Sequence, residues 1–511
     1  MASRHYIQYT ADMIVSLASE NCTNRQILRD LLSELSFRRS LAAERARLQI
    51  SAKLNALTAS TTRASPASGI ISALPVHQGN FPKLYQWQQE ALHAWQANRR
   101  RGIVEAVTGA GKTVLGVAAI RDELNGGGRA TVVVPTIELM HQWRERLKQQ
   151  LPTARVALLG GGDKSGPDSC DVLVATVQSG SSYTISPQVG SSLLVADEVH
   201  RMAADKFSLA LESNFGHRLG LSATWQRNDN KHEIVLQPYF DGVVFTLNYA
   251  RARRENAISN FRMALVGVQL SQAERGEYEE ASMKARKYKN RLIAQFGAPS
   301  EPFDALMTWV NAAKNGQVPG AEKLAGFYLS AFQKQRAVLA ESSAKLICTK
   351  GLAPAVRAAN RTLGFTSTIE AAKAIDRIWS SVGLLSRTYH SRLSSSERKY
   401  LMSEFRDGRL KALVAPKVLD EGIDVPDVDL GLIMGTSHSR IQLVQRIGRV
   451  LRRKPSGAKA RICLLYVIDT PEDPDRGAHE VALADIRQAA DEIETFVYPD
   501  DQKEILAFLG P

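Results

Sequence analysis

Residues 106 to 113 read AVTGAGKT, the pattern of a phosphate-binding loop with one glycine missing. A phosphate-binding loop has the form Gly, four residues, then Gly-Lys-Ser/Thr, and Ala106 occupies the first glycine position. The context is right for such a loop. Strand-like GIVEAV (102–107) runs into it and helix-like TVLGVAAI (113–120) leaves it. Gly109 and Gly111 let backbone N–H groups approach phosphate oxygens closely, with Thr108 and Ala110 completing the cradle. The first turn of the following helix adds unpaired N–H groups and a favourable dipole. Lys112 can reach the β- and γ-phosphates of a nucleotide, and Thr113 can ligate Mg²⁺.

A phosphate loop needs a second, acidic site to hold the metal and prepare water. LLVADEVH (193–200) supplies it, as an apolar strand ending in Asp197 and Glu198 and followed by His200. Asp197 suits the metal and Glu198 the attacking water. An Asp-Glu pair at a strand end is otherwise a solvated turn, and its pairing with the loop favours the site.

From about residue 100 the pattern alternates. ATVVVP (130–135), DVLVA (171–175), SLLVAD (192–197) and RLGLSAT (218–224) read as strands. TVLGVAAIRDEL (113–124) and ELMHQWRERLKQQL (138–151) read as amphipathic helices. Such alternation predicts an α/β fold, a mainly parallel sheet with helices on both faces. The alternation breaks over 271–345, which is helical in character. It resumes at RTLGFTST (361–368), LLSRTYH (384–390), ALVAPK (412–417) and LGLIMG (430–435). The expected layout has an N-terminal helical segment (1–58), a Ser/Thr/Ala/Pro-rich linker (59–81), a first α/β lobe (82–247), a helical insertion (248–345), a second lobe (346–475) and a C-terminal helical tail (476–511). In the first segment Ile27, Leu28, Leu31, Leu32 and Leu35 form one apolar stripe, read as ordinary packing.

Composition sets the outer bounds. The 511 residues suggest roughly three domains. An apolar content of 44% and a charged content of 23% are those of an ordinary globular protein. No apolar run approaches the roughly 20 residues that span a bilayer, and the N-terminus has no signal-peptide pattern. Cys22, Cys170, Cys348 and Cys463 are dispersed, which fits a reducing cytoplasm. His141, His200 and His390 lack metal-ligand spacing, so no zinc is expected. Sixty-five Lys and Arg against 52 Asp and Glu give a formal charge of +13. That balance suits a polyanionic partner, although a solvated surface can also carry it.

Five stretches together carry a resemblance. AVTGAGKT, DEVH (197–200), SAT (222–224), VLDEGIDVP (418–426) and QRIGRVLR (445–452) are similar, in order, to successive motifs of the superfamily 2 helicases. In that family the first loop commonly opens on alanine. The match runs from about residue 84 to 470. It leans toward the XPB, phage UvsW and type III restriction branch through PTIELMHQW (135–143), the DExH form, and RND (227–229) after SAT. One departure is Trp225, where many relatives carry proline.

The resemblance implies two RecA-like lobes that close on ATP and Mg²⁺ and move along or unwind DNA. LYQWQQEAL (84–92) places Gln88 at the adenine-reading glutamine. Pro135, Thr136, Thr176, Gln178 and Thr368 fall on backbone-contacting motifs. Gln445 positions water, while Arg449 and Arg452, three apart and on one face if helical, supply transition-state charge. Gly422 and Asp424 link nucleotide to nucleic acid. KARKYKNR (284–291) places Lys284, Arg286, Lys287, Lys289 and Arg291 around Tyr288, in what resembles a thumb-like insertion. Phosphate contact and a solvated helix face are both open there. Three alternatives accompany the DNA motor. One is an ATPase subunit of a restriction, anti-phage or repair assembly whose partner supplies cleavage. The others are an RNA helicase and a non-catalytic nucleic-acid scaffold.

Overall fold

The computed structural model describes residues 11–20, 31, 50, 81–188, 190–227, 229–416, 428–434, 440–454, 457–478 and 480–510. The chain divides into two compact units, Met1–Leu74 and Pro75–Pro511. In the first, the helix Ala11–Glu20 buries Ile14 and Ala18, one turn apart on one face. Leu31 is buried. The other members of its apolar stripe lie outside the described residues, as does the linker up to residue 80.

The second unit contains two sheets. The first is built from β1 (Arg101–Ala106), β2 (Arg129–Val134), β3 (Val156–Gly160), β4 (Asp163–Lys164), β5 (Val172–Thr176), β6 (Ser192–Asp197), β7 (His217–Ser222) and β8 (Val243–Leu247). Their order is β4-β3-β5-β2-β6-β7-β1-β8, parallel throughout except for the β3–β4 pair. The central strands β5 and β6 are buried along their whole length, as expected for a parallel sheet covered on both faces. Three fully buried tryptophans, Trp87, Trp95 and Trp143, pack with the strands in one core.

The second sheet contains β9 (Phe261–Val268), β10 (Thr362–Phe365), β11 (Ser386–Thr388), β12 (Ala412–Ala415), β13 (Leu430–Ile433), β14 (Ala460–Val467) and β15 (Glu492–Tyr498). All pairs are parallel, in the order β11-β12-β10-β13-β14-β9-β15.

This topology corrects two expected boundaries. Residues 261–268 do not belong to the helical insertion: β9 pairs with β14 over its full length, so the second lobe begins before the insertion and is interrupted by it. The expected helical tail contains β15, which closes the sheet beside β9. Both corrections concern strands that meet partners remote in sequence, about which local patterning carries no information.

The insertion is a helical hairpin with a core of its own. Its first helix, Gln272–Phe296, starts at a capping box between Ser271 and Glu274 and ends at Gly297, where φ is 67°. Helices Phe303–Lys314 and Glu322–Ala340 pack against it around Leu292, Leu306, Val310 and Tyr328. Glu274 also accepts from the Ser343 backbone N–H at 2.7 Å, tying the hairpin back to the second lobe.

Candidate functional site

The phosphate-type loop leaves β1 at Ala106, and the structure explains the missing glycine. Only Gly109 (φ 89°) and Gly111 (φ 100°) of this loop adopt left-handed backbone. Ala106 ends a regular buried strand, where a Cβ is no obstacle. Its carbonyl accepts from Lys112 Nζ at 2.8 Å. Lys112 opens the helix Lys112–Asn125 and is buried. Burial lowers its pKa, opposed by the charges of Glu198 and Asp197. The buried Oγ1 of Thr108 makes no hydrogen bond, an unsatisfied group in the cradle that a phosphate oxygen could meet. Gln88 lies beneath the loop, donating from Nε2 to the Gly111 carbonyl at 3.0 Å. A Cβ at Gly111 would sit 2.9 Å from that nitrogen.

The loop, the acidic pair and SAT follow β1, β6 and β7, with β7 between the other two. They therefore share one carboxyl edge, the usual place for ligands in such sheets. Asp197 is buried. Its Oδ1 accepts from the Glu198 backbone N–H at 3.0 Å and its Oδ2 from Trp143 Nε1 at 2.8 Å. Burial, with repulsion from Glu198, raises its pKa to about 6 despite these bonds and Lys112. Glu198 takes left-handed backbone, φ 50° and ψ 50°, an uncommon conformation for a non-glycine residue and one found at functional sites. Thr113 and Asp197 are the hard oxygen donors that can hold a divalent cation here.

His200 joins this edge to its neighbours. Its Nδ1 lies 3.1 Å from Ser222 Oγ, and Ser222 Oγ donates to the Thr224 carbonyl at 2.7 Å. Arg227 donates to the His200 carbonyl at 2.9 Å and grips Asp229 with two bonds of 2.9 and 2.6 Å. Asn228 lies outside the described residues. Trp225 stands edge-on to His232, with ring centroids 4.8 Å apart.

The second lobe reaches the same loop. On the helix Arg440–Val450, Gln445, Arg446 and Arg449 are buried. The shared helical face expected for Arg449 and Arg452 does not form, because the helix ends at Val450. Arg452 instead bridges to Ile258 in extended backbone. It still borders the phosphate loop. A Cβ at Gly109 would lie 2.8 Å from the Gly448 carbonyl and 3.3 Å from Arg452 Cγ, and one at Gly448 would lie 2.2 Å from Thr108 Cβ. Arg446 has a different task, donating at 3.3 Å to the Thr366 carbonyl within its own lobe. Burial lowers its pKa to about 10. Two further contacts cross the cleft: Arg453 donates to Tyr85 Oη at 3.1 Å, and Arg398 lies 3.5 Å from Glu138. Gly422 and Asp424 lie outside the described residues.

Three of the expected backbone-contacting residues share one local geometry. Thr136 and Thr368 follow β2 and β10, Thr176 ends β5, and the three cap the helices Ile137–Gln150, Ile369–Ser381 and Val177–Gly180 through their hydroxyls. Three helix N-termini thus sit at carboxyl edges of the two sheets. Pro135 is buried at the end of β2, and Gln178 is exposed. Thr368 also donates to Glu341 at 3.0 Å. Gly160, Gly161 and Gly162, all with positive φ, lie alongside: Cβ atoms at the first two would meet Thr176 and Ile137. Three consecutive glycines after a strand were a legible signal for a close backbone approach.

On the insertion, Lys284, Arg286, Lys287 and Arg291 are exposed and Lys289 is half-buried. Lys284 pairs with Glu280 one turn back at 2.6 Å. Tyr288 packs on Phe327 with centroids 5.6 Å apart, so it belongs to the hairpin as well as to its surface. Trp143 and Arg446 stand inside the quoted motifs but carry no role in the sequence reading. An indole N–H on the apolar face of an amphipathic helix, which needs a partner when buried, was the available sign of the first. Among the described residues no cluster of three or more His, Cys, Asp or Glu could hold a metal, and no helix is long and apolar enough to cross a membrane.

Comparison with known proteins agrees with this geometry. Residues 81–227 match the family described as "Type III restriction enzyme, res subunit", and residues 344–454 match the "Helicase conserved C-terminal domain". The chain is 28% identical over 397 residues to "DNA 3'-5' translocase XPB2" of Sulfurisphaera tokodaii, covering 74% of this chain and 80% of that one. It is 26% identical to "Putative DNA 3'-5' helicase Rad25" of Haloarcula marismortui, covering 76% of this chain but 53% of that longer protein. Among solved structures it resembles S. cerevisiae Dbp5 bound to RNA and ADP BeF3, with TM-score 0.55, 16% identity and coverage of 84% and 93%. The Pyrococcus furiosus Hef helicase domain is similar at TM-score 0.52 and 19% identity, covering 78% and 98%. These structural likenesses identify the two parallel-sheet lobes as RecA-like. With both lobes matched and their described motifs gathered on one cleft, the chain belongs to the ATP-hydrolysing superfamily 2 helicases, in the XPB-like branch with a type III restriction-like first lobe.

Proposed function

We propose that this chain hydrolyses Mg²⁺-ATP in the cleft between its lobes and uses the cycle to move 3′ to 5′ along DNA. The observation that carries this reading is the contact of Gly448 and Arg452 with the loop of Thr108 and Gly109, which makes one site from both lobes. Lys112, in place beside the loop, neutralises the β- and γ-phosphates. Glu198 orients the attacking water and takes its proton, and Gln445 helps place that water. Arg449 and Arg452 oppose the charge that builds as the γ-phosphoryl group leaves, so hydrolysis depends on closure. Gln88 reads the adenine from beneath the loop.

The residues fit a divalent cation. Asp197 and Glu198 place two carboxylates beside one buried lysine, and burial, then repulsion from Glu198, raises the Asp197 pKa. Thr113 adds a hydroxyl, and Mg²⁺ commonly takes only one or two protein oxygens beside phosphates and water. Once bound, the ion would draw charge from the phosphate oxygens.

DNA would lie across the carboxyl edges, where the N-termini of the helices capped by Thr136 and Thr368 offer N–H groups and positive dipole ends to phosphates, beside the single turn capped by Thr176. The glycines at 160–162 allow a backbone to come close, and the cations of 284–291 extend the positive surface. The direction follows the relatives named 3′-5′ translocase and helicase. Streptavidin displacement from biotinylated single strands tests the reading. Release from the 5′ end driven by ATP is expected. Release from the 3′ end alone would reverse the direction, and ATP turnover stimulated by RNA but not DNA would replace the substrate.

A further inference from the structure

Trp143 is the seventh residue of the helix Ile137–Gln150, whose N-terminus Thr136 caps. It is fully buried. Two other buried tryptophans, Trp95 and Trp379, satisfy their indole N–H on backbone carbonyls, those of Arg218 at 2.9 Å and Thr349 at 3.0 Å. Trp143 instead donates to a carboxylate of the nucleotide site, Asp197 Oδ2, at 2.8 Å. The far edge of its ring fills the space beside Gly116, where a Cβ would lie 2.6 Å from Trp143 Cη2. The indole is therefore wedged between the helix that carries Thr113 and the acidic end of β6.

The second Asp197 oxygen accepts from the next residue's own N–H, a bond that moves with the turn. Among the described residues, the indole is the hydrogen-bond donor that ties the carboxylate to a different element, and Lys112 acts on it through charge. A carboxylate rotates in a broad, two-fold well, and a donor on a locked, bulky ring narrows it. We propose that Trp143 is a positioning residue for Asp197. Its N–H fixes the rotation of the carboxylate and thereby the site's affinity for the divalent cation that accompanies the nucleotide. This rests on the reading of Thr113 and Asp197 as the metal's protein donors. Because about 10 Å of one helix separates Trp143 from Thr136, the same indole joins the nucleic-acid edge to the metal side of the cleft.

The test replaces Trp143 with 3-benzothienylalanine, which keeps the bicyclic shape and exchanges the N–H for sulfur. Trp143→Phe is a second variant. Binding of fluorescent N-methylanthraniloyl-ADP is measured without nucleic acid, first in EDTA and then across a Mg²⁺ titration. Affinity in EDTA should stay within about twofold of wild type. The Mg²⁺ concentration that gives half of the metal-linked gain should rise about tenfold, the lower end of what loss of a supporting hydrogen bond costs a metal site. A Mg²⁺ dependence unchanged in the isostere overturns the proposal. So does an equal loss of affinity in EDTA, which would mean that the ring only shapes the phosphate loop. A wild-type protein whose nucleotide affinity ignores Mg²⁺ would instead overturn the metal reading beneath it. If the phenylalanine variant does not fold, the isostere still decides the outcome.

Discussion

Asp197→Asn should make the nucleotide-free protein more stable while destroying its function. Asp197 has its pKa raised from 3.8 to about 6, first by burial and then by Glu198. The folded protein therefore holds this proton more tightly than the unfolded chain does, so stability falls as pH rises between about 4 and 6. A difference of about two units, at 1.36 kcal/mol each, puts the cost of the ionised form at about 3 kcal/mol. Asparagine has nearly the same shape and no charge, and its oxygen can accept the indole bond, while its amide nitrogen gives up the bond from the Glu198 N–H, at a cost of about 1 kcal/mol. In EDTA at pH 8 the variant should melt on the order of 5 °C higher than wild type, the scale for about 2–3 kcal/mol in a lobe of this size. At pH 4 the gap should close, because wild-type Asp197 is then protonated too. Mg²⁺ and ADP at pH 8 should reverse the order, since bound ligand stabilises only the form that binds it. Equal melting temperatures at pH 8, or a gap that persists at pH 4, would refute the electrostatic reasoning.

Gly448→Ala puts a Cβ 2.2 Å from Thr108 Cβ, so it should hold the lobes apart. An overpacking cost of about 1–3 kcal/mol corresponds to a loss in kcat of about five- to 150-fold. ADP affinity should stay close to wild type, and an unchanged kcat would show that closure does not use this contact. Neutralising Lys284, Arg286, Lys287, Lys289 and Arg291 should leave basal ATP turnover intact and flatten the slope of log K against log salt for duplex DNA by about 2–3. Superimposable slopes would make these charges a solvated face. A chain beginning at Pro82 retains nearly all of the second compact unit, Pro75–Pro511, and should keep DNA-stimulated turnover. A soluble truncation without it would place part of the motor in the first unit.

The first lobe was largely legible because its chemistry is local. Lys112, Thr113, Asp197 and Glu198 stand at junctions between strand and helix or turn, which alternation and short motifs mark directly. What sequence concealed is non-local. The apolar run 261–268 looks like the approach to a helical segment, yet it pairs with 460–467, almost two hundred residues away. Residues 492–498 lie at the sheet edge with a half-exposed pattern, a weak strand signal. Helical spacing suggested one face for Arg449 and Arg452, but the bridge from Arg452 to Ile258 takes the chain out of the helix after Val450. Trp143 matched the periodicity of a packed helix face, and its bond to Asp197 becomes visible only once β2 and β6 lie side by side.

The proposed mechanism assembles one catalytic site from both lobes. Arg452→Ala tests it most directly, with ATP turnover and N-methylanthraniloyl-ADP binding measured on the same preparation in saturating DNA. Arg452 lies beside the loop from the opposite lobe, and Lys112 and Gln88 remain in place in the variant. Nucleotide affinity should change by less than about threefold, while turnover falls by about 10³ to 10⁵, the range for an arginine that acts on transition-state charge. Wild-type turnover in this variant, or a loss of binding as large as the loss of turnover, would contradict the claim.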